Sequence, residues 1–482
     1  MNKHFLLFVN GEGLPGMAIN KTGIYALPAV LLCGVLTACS LAPDMRKPET
    51  SLPQNWQLSG PSAVEQDGPW WAAYDDEKLS ALVAEALAYN SDIQLAAARV
   101  DEARAIAGSA RASRMPNITA GGGASRSDLN LEGLPSGGPS DSFILGGLLS
   151  FEVDLWGRLA NADKAARQQL LAEEASARAV ALGITAETIA NYFAVSALNE
   201  QIAITQKTIR TRKNAYDLER KRLDQGDTDS LIVRQAESQM VAAQARLPAL
   251  EQQREQRLSA LSVLLGKTPK DIMESRTFSG SDKTILPDLP PLPQKDASDV
   301  VIARPDIMAA EHVLSAANAN IGVARAAYLP RLSVSGLLGV ASGDLDSLLE
   351  SGSKSWSFGA NATAPLLDFG RARAQVEAAT AREKQAYIGY EKTVRVAFRE
   401  IKDALTAREK TQEQVRTLEK QVSVLGEAAR LARKRFDAGY SSYMDVLDAE
   451  RSLFDAEISL IEAKRQLLQS SVDLNKSLGG QL

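Results

Sequence analysis

Two aspartates three residues apart offer the clearest chemistry in this sequence. Asp445 and Asp448 follow Ser442 at a point where a helix is predicted to begin. Residues three apart lie on one helix face, where like charges repel by a few tenths of a kcal/mol. Asp445 fits the third residue of a capping box that starts at Ser442, but capping does not require Asp448. A plain helix cap therefore explains Asp445, whereas Asp448 needs another explanation.

Catalytic chemistry has few candidates. The 482 residues include only two histidines and two cysteines, and His312 is the only histidine beyond the N-terminal region. Gly266-Lys267-Thr268 lacks the glycine five residues before Gly266 that a phosphate-binding P-loop needs, because Leu261 stands there. The sequence therefore predicts no enzyme, no cofactor and no metal site. A net charge of −5 with dispersed basic residues also argues against nucleic acid as a partner.

The N-terminal region predicts export and lipid attachment. An apolar run over residues 24–36 is too short for a membrane span and is typical of a signal peptide. It ends in Leu36-Thr37-Ala38-Cys39-Ser40, which resembles a bacterial lipoprotein signal, where the cysteine is acylated and becomes the mature N-terminus. Ser40, rather than an aspartate, then implies the outer membrane. The alternative is an ordinary cleavage site at which Cys39 is incidental.

Long helices joined by glycine turns position the two aspartates. Apolar residues from Val415 to Phe436 alternate three and four apart, which is the spacing of a coiled-coil seam. The helix is predicted to end at Gly439, since glycine tolerates the left-handed backbone of a helix end. A returning helix then carries apolar residues at every seventh position from Leu447 to Leu468.

The same unit occurs twice, which indicates a tandem duplication. The segment 222–226 (Arg-Leu-Asp-Gln-Gly) matches 435–439 (Arg-Phe-Asp-Ala-Gly), so that Gly226 corresponds to Gly439 at an offset of 213 residues. Trp156-Gly157-Arg158 matches Phe369-Gly370-Arg371 at the same offset, and motifs further upstream match at 214.

The lengths of the uninterrupted helical runs exclude an ordinary compact domain. Arg158 to Asp224 and Arg371 to Asp437 are nearly free of helix breakers. At 1.5 Å per residue each helix would be roughly 100 Å long. Pro248 is expected to kink the helix that returns after the first of them.

Each repeat also contains a Gly- and Ser-rich extended stretch. The candidate strands cover residues 117–129, 142–154, 331–342 and 356–366. Each has about the length of a tilted membrane strand, although alternation of apolar and polar residues looks weak. The alternative is a pair of soluble hairpins on a helical body. Membrane strands would need several copies of the chain, since the smallest closed barrels have about eight strands.

We expect a mixed α and β fold, mostly α, with the following organisation: a signal peptide (1–38), a lipidated tether (39–68), repeat 1 (69–266, with a β-hairpin at 117–154 and long helices at 158–265), an irregular Pro-rich connector (267–298) and repeat 2 (299–482, with a β-hairpin at 331–366 and long helices at 371–478).

This combination resembles the outer-membrane factor family, the TolC-like exit ducts of tripartite efflux and secretion systems, in particular its lipoprotein branch. Its most specific motifs here are Pro69-Trp70-Trp71, Ala303-Arg304-Pro305-Asp306-Ile307 and Asp445-Val446-Leu447-Asp448-Ala449. The resemblance implies a homotrimer in which three chains form a twelve-stranded transmembrane β-barrel, continued by a periplasmic α-barrel of long helices. It also implies two protein partners, a periplasmic adaptor (membrane fusion) protein and an inner-membrane pump.

The resemblance also implies roles for single residues. Asp445 and Asp448 match an aspartate pair at the periplasmic tip, where three chains constrict the duct and six carboxylates would form a ring able to bind cations. Ser441 stands where some members carry an arginine in a closing salt bridge. The first repeat has Ile232 and Gln235 in place of the aspartates, so the closing network is expected to differ in detail.

Four further residues mark the ends of the predicted elements. Gly226 and Gly439 are expected at the helix-turn tips, with an adaptor contact as a secondary role. Trp156 and Phe369 lie where strand passes to helix, so they fit aromatic residues at a membrane interface. Ordinary core anchors are an equal alternative for both.

The leading hypothesis is a passive outer-membrane exit duct that performs no chemistry of its own. A periplasmic adaptor would instead have one helical hairpin between two β-rich halves. A structural coiled-coil lipoprotein would need neither the strands nor Asp448. Since a wide duct has little selectivity, the choice of substrate is expected to rest with the pump.

Overall fold

The computed structural model describes residues 41–46, 68–128, 138–274, 286–291 and 303–480. The predicted signal peptide, Cys39 and most of the tether lie outside these residues, as do the loop 129–137 and parts of the connector. After a 3-10 turn at Trp70–Tyr74, the elements in order are α1 (Glu77–Tyr89), α2 (Ser91–Ala112), β1 (Asn117–Ser127), β2 (Ser140–Val153), α3 (Arg158–Asp224), α4 (Ser230–Leu264), α5 (Pro269–Met273), α6 (Pro305–Arg325), β3 (Arg331–Ser342), β4 (Lys354–Thr363), α7 (Arg371–Asp437) and α8 (Tyr443–Ser477).

The chain forms two compact units. The sheet unit contains the four strands within residues 113–161 and 322–373, together with Leu41 and Ala42; the helical unit contains most of the helices. The described part of the chain is thus mostly helical with one small sheet, which agrees with the predicted fold class.

The long helices reproduce the duplication residue for residue. Helices α3 and α7 both have 67 residues, and α4 and α8 both have 35. Helix α3 covers the same residues as the first run without breakers, and α7 the same residues as the second. Helix α4 continues through Pro248. At 1.5 Å per residue, α3 and α7 would each be about 100 Å long if straight.

Helix α2 is capped by an asparagine. The side-chain oxygen of Asn90 accepts hydrogen bonds from the backbone N–H groups of Asp92 and Ile93, at 2.9 and 3.2 Å. Asn90 is therefore the N-cap residue, a position that asparagine fills as well as serine or aspartate does. Ser91 is the first helical residue.

The two repeats use equivalent positions to join their helices. In the first repeat, Asn90 Nδ2 donates to the carbonyl oxygen of Leu264 at 2.9 Å. In the second, Arg304 occupies the place of Asn90 and donates to the carbonyl oxygen of Ser477 at 2.7 Å. Each bond satisfies a carbonyl at a helix C-terminus that has no partner within its own helix. Arg304 also contacts Glu400 of α7 at 2.9 Å.

The four strands form one antiparallel sheet in the order β1-β2-β3-β4. The middle pair joins the two repeats, so the two predicted hairpins are parts of a single sheet. Leu148 of β2, for example, lies opposite Leu337 of β3. The last strand is Lys354–Thr363, which begins and ends slightly earlier than the predicted 356–366.

The register shows that the sheet has one largely apolar face and one mixed face, which fits the weak alternation within the strands. Residues opposite each other in an antiparallel pair point to the same side. One face carries Ile118, Leu145, Leu149, Phe151, Val334, Leu338, Trp356 and Phe358; the other carries Thr119, Ser125, Ser150, Ser333, Ser335, Ser355, Ser357 and Asn361 together with Ile144, Leu148 and Leu337. The glycines in single strands obscure this alternation when each is considered alone.

The core of the helical unit begins at the Pro69-Trp70-Trp71 motif. Trp70 and Tyr74 pack with Leu79 and with Phe193 of α3, and the Tyr74 and Phe193 rings meet edge to face at 5.1 Å. Helix α3 contains an 18-residue window apolar enough to cross a membrane by composition, but 61% of that window is buried inside the protein. This burial is typical of a core helix.

The connector is more ordered than expected where it is described. Its first part is the short helix α5, whose N-terminal Pro269 follows a Thr268 cap, so the expectation of an irregular connector was wrong there. Further on, Glu200 of α3 accepts a hydrogen bond from the Leu286 N–H at 3.0 Å, and the buried Arg408 of α7 donates to the Pro290 carbonyl at 2.6 Å. Side chains of two long helices therefore hold this segment.

Candidate functional site

The glycine turns between the long helices have the same backbone geometry in both repeats. Gly226 and Gly439 have φ angles of 84° and 78°, a left-handed conformation that favours glycine. The N–H of Gly439 donates to Phe436 and that of Tyr440 to Arg435, both at 2.8 Å. This is the Schellman pattern, which satisfies carbonyls at the helix end.

Asp445 lies at the start of α8 and is exposed. Its carboxylate accepts a hydrogen bond from the backbone N–H of Ser442 at 3.2 Å, as a capping box requires. The first repeat caps its returning helix differently. There Asp229, which corresponds to Ser442, accepts from the N–H groups of Leu231 and Ile232 at 2.7 and 3.1 Å. An acid at the Asp445 position is therefore not the only way to cap this helix.

Asp448 lies one turn further along α8 and makes no cap. Its carboxylate forms an ion pair with Arg451 at 3.1 Å, and both side chains are more than half exposed, at 59% and 55%. An ion pair this exposed contributes only about 0.2–1 kcal/mol to stability. Asp445 and Asp448 thus share an exposed face of the helix, and neither is needed for packing beneath it.

An apolar cluster from all four long helices lies next to the aspartates. We call it the tip cluster; it consists of Ala215 and Tyr216 from α3, Ile232 and Ala236 from α4, Ala432 and Phe436 from α7, and Tyr443, Val446 and Leu447 from α8. The rings of Phe436 and Tyr443 are 5.2 Å apart. Ile232, which replaces an aspartate in the first repeat, packs against this cluster, so the two repeats use equivalent positions differently.

Charged groups surround the tip cluster. The Arg222 guanidinium lies over the Phe436 ring at 5.5 Å and contacts the buried Glu219 at 3.2 Å. Arg433 pairs with Glu450 at 2.8 Å. Burial and the nearby Glu450 carboxylate raise the pKa of Tyr443 to about 12, with Arg433 acting in the opposite direction. Tyr443 is therefore neutral at physiological pH.

A second contact between the hairpins was not foreseen from the sequence. Phe454 of α8 is only 3% exposed and lies beneath the guanidinium groups of Arg212 and Arg246, at 5.5 and 5.1 Å. Arg246 also pairs with Asp455 at 2.7 Å, and burial lowers the pKa of Arg212. The heptad pattern identified Phe454 as a core residue, but no local pattern indicates arginines from another helical hairpin.

The structure places Trp156 and Phe369 differently. Trp156 is half-buried, and its indole Nε1 donates to the Pro330 carbonyl at 2.7 Å. Phe369 is 91% exposed and has a φ of 52°, so it anchors no core within one chain. Beside it, N–H groups of Ala372 and Gly370 donate to Asp368, which lowers the pKa of that carboxyl. The interface role of the two aromatics stays a prediction.

Two other sequence candidates have plain surroundings. His312 Nδ1 contacts the side-chain oxygen of Gln168 at 2.8 Å. Within the part of the chain that the structure describes, no group of three or more His, Cys, Asp or Glu side chains could hold a metal ion. Cys39 lies outside the described residues, so its acylation stays a prediction.

Comparisons with known proteins agree with the duplicated architecture. The family model described as outer membrane efflux protein matches residues 82–267 and again residues 297–480. The chain belongs to the outer membrane efflux protein family.

Individual members of this family resemble the chain along almost its whole length. The cation efflux system protein CusC of Escherichia coli K12 is 33% identical over 450 residues, covering 92% of this chain and 97% of that protein. A probable outer membrane lipoprotein, SilC of Salmonella typhimurium, is 32% identical over 453 residues, covering 92% and 96%. The solved structure of the outer-membrane channel OprN has a TM-score of 0.85 at 29% identity, covering 92% of this chain and 99% of that chain.

Family membership decides between the functional classes left open by the sequence. The chain is an outer-membrane channel protein of an efflux system, and it is neither an adaptor nor a purely structural coiled coil. The family members are channels rather than enzymes.

Proposed function

We propose that three copies of this chain share one β-barrel and form a passive duct across the outer membrane. The four-stranded sheet carries this proposal. Strands β1 and β4 each pair on one side only within the sheet, and open strand edges are not viable in lipid. Two copies would supply eight strands and three would supply twelve. An eight-stranded barrel is filled by its own side chains, whereas a wider barrel leaves room for water.

The two faces of the sheet support a water-filled interior. The face with Leu338, Trp356 and Phe358 would lie against lipid, since these side chains are 75%, 77% and 69% exposed in the single chain. The opposite face, with its serines, Thr119 and Asn361, would line the duct. This face also carries Ile144, Leu148 and Leu337, so the lumen would have a mixed lining of small polar and aliphatic groups, which suits conduction without catalysis.

The proposed duct works with two further proteins, a periplasmic adaptor and an inner-membrane pump that supplies the energy. Cations, the cargo class named for the CusC relative, are one candidate cargo. The choice of cargo then rests with the pump.

The N-terminus supplies a second attachment to the membrane. Acylation of Cys39 after removal of residues 1–38 would anchor the tether, residues 39–68, in the outer membrane. The remaining chain would consist of repeat 1 (69–266), the connector (267–298) and repeat 2 (299–482). The probable lipoprotein SilC, similar over 92% of this chain, supports this assignment.

The helix-turn tips form the proposed periplasmic gate. A threefold axis near α8 would bring Asp445 and Asp448 of three chains into a ring of six carboxylates, which favours cations. With Ser441 in place of an arginine, closure would need contacts other than a salt bridge at this position. Gly226 and Gly439 expose the turns for an adaptor contact. Trp156 and Phe369 would mark the membrane interface at the opposite end of α3 and α7.

The number of copies tests this proposal directly. Native mass spectrometry of the purified mature protein, released from detergent, should give a dominant complex of three chains. A complex of two chains would support an eight-stranded barrel without a wide lumen. A monomer with a native circular dichroism spectrum would rule out the shared barrel.

A further inference from the structure

The residues that directly follow the proposed lipid-attachment site are held by a specific contact. Leu41 and Ala42 belong to the sheet unit. The guanidinium Nη1 of Arg325, the last residue of α6, donates a hydrogen bond to the carbonyl oxygen of Leu41 at 3.1 Å. Arg325 precedes the first residue of β3 by only six positions.

Gly322, one turn earlier on α6, makes room for this segment. It is buried, and a Cβ placed there would lie 2.6 Å from Asn161 Nδ2 and 2.9 Å from the Ala42 nitrogen. Both distances are shorter than real Cβ contacts. Glycine is otherwise unfavourable inside a helix, so a glycine there usually has a packing reason. The close approach of Ala42 and Asn161 supplies that reason.

The duplication provides an internal comparison. At the upstream offset of 214 residues, Gly322 corresponds to Gly108 and Arg325 corresponds to Arg111, both on α2. A Cβ at Gly108 would meet no atom of the described residues within 4 Å. Both repeats therefore contain the Gly-x-x-Arg pair. Among the described residues, however, Gly322 has a close neighbour from the N-terminal segment and Gly108 does not.

We infer that Gly322, Asn161 and Arg325 form a docking cradle for Leu41 and Ala42, and that this cradle fixes where the lipid anchor leaves the protein. A lipid attached two residues before Leu41 would be tethered within about 7 Å of it, the span of two extended residues. The anchor would then emerge close to the end of the sheet at which β3 begins. Only the lipid part of this inference rests on the proposed acylation of Cys39; the cradle itself does not.

Hydrogen–deuterium exchange of the mature, full-length trimer in lipid nanodiscs tests the cradle. Peptides that cover residues 40–46 should exchange at least about fivefold faster in Arg325→Gln and in Gly322→Ala, since each change removes a contact of ordinary hydrogen-bond or packing strength. The matched variants Arg111→Gln and Gly108→Ala should leave this exchange unchanged. Equal exchange in all four variants and the unmodified protein would overturn the cradle.

Two measurements keep the outcomes separate. Arg325 is exposed, so Arg325→Gln remains informative even if Gly322→Ala disturbs the fold. The mass of the N-terminal peptide shows independently whether Cys39 carries acyl chains. An unacylated chain with exchange that depends on Arg325 would support the cradle and overturn the anchor. An acylated chain whose residues 40–46 exchange freely would support the lipid anchor and overturn the cradle.

Discussion

Replacing both tip aspartates by asparagine separates the gate from the cap. The side-chain oxygen of an asparagine at position 445 can still accept the hydrogen bond that Ser442 N–H now gives Asp445 at 3.2 Å. The free energy of unfolding of the double variant Asp445→Asn/Asp448→Asn should therefore lie within about 0.5 kcal/mol of that of the unmodified protein, as is usual for surface substitutions. Asp445→Ala removes the acceptor, and loss of a cap costs about 0.5–2 kcal/mol.

The change in charge can be worked out from the ion pair at the tip. Asp445, Asp448 and Arg451 together carry a charge of −1 per chain, because Arg451 offsets one of the two carboxylates. In the double asparagine variant the same three positions carry +1. Three chains would thus change the ring from −3 to +3, so the duct should change from preferring cations to preferring anions.

The assay is the reversal potential of the purified channel in a planar bilayer under a potassium chloride gradient. We expect its sign to invert in the double asparagine variant. Glu409→Gln/Glu413→Gln is a suitable control, since it removes two exposed carboxylates from the middle of α7, with exposures of 73% and 72%. An equal reversal potential in the double asparagine variant and the unmodified channel would refute the carboxylate ring. Asp445 would then act only as a helix cap.

Three further predictions concern the sheet and the tip. Leu338→Arg, on the apolar face, should destabilise the protein in lipid by about 2–4 kcal/mol, whereas Leu337→Arg on the opposite face should be tolerated; thermal unfolding in nanodiscs distinguishes them. Burial raises the pKa of Tyr443 from 10.0 to about 12, so the stability that its neutral form contributes is present below pH 10 and is lost as the pH rises toward 12. Tyr443→Phe should reduce this loss of stability at alkaline pH by up to about 2.7 kcal/mol, at 1.36 kcal/mol per pKa unit. An unchanged dependence of stability on pH would contradict this prediction. Phe454→Leu should lower the unfolding temperature and enlarge the conductance of the resting channel, since it removes the ring beneath Arg212 and Arg246; an unchanged resting conductance would show that this contact does not restrain opening.

The features that the sequence predicted well depend on local residues. The long helices end where they were expected because breaker-free runs stop at Gly226 and Gly439, whose backbone conformation few other residues adopt. The Asp445 cap was also foreseeable, since a capping box spans only four residues. The duplication allowed each of these predictions to be checked against a second copy.

The features that were missed depend on contacts between distant segments. Nothing near Phe454 indicates that Arg212 and Arg246 lie over its ring, because these residues come from the other repeat. The two faces of the sheet became visible only when the register aligned four strands, since glycines interrupt the alternation within each.

The conductance of the unmodified mature protein tests the central claim most directly. Purified trimers in a planar bilayer should open discrete channels, with a small conductance that prefers cations while the tips are closed. Enlargement of this conductance by the purified adaptor would agree with a duct opened by its partners. Well-folded trimers that insert into the bilayer and conduct no ions under any of these conditions would contradict the shared, water-filled barrel.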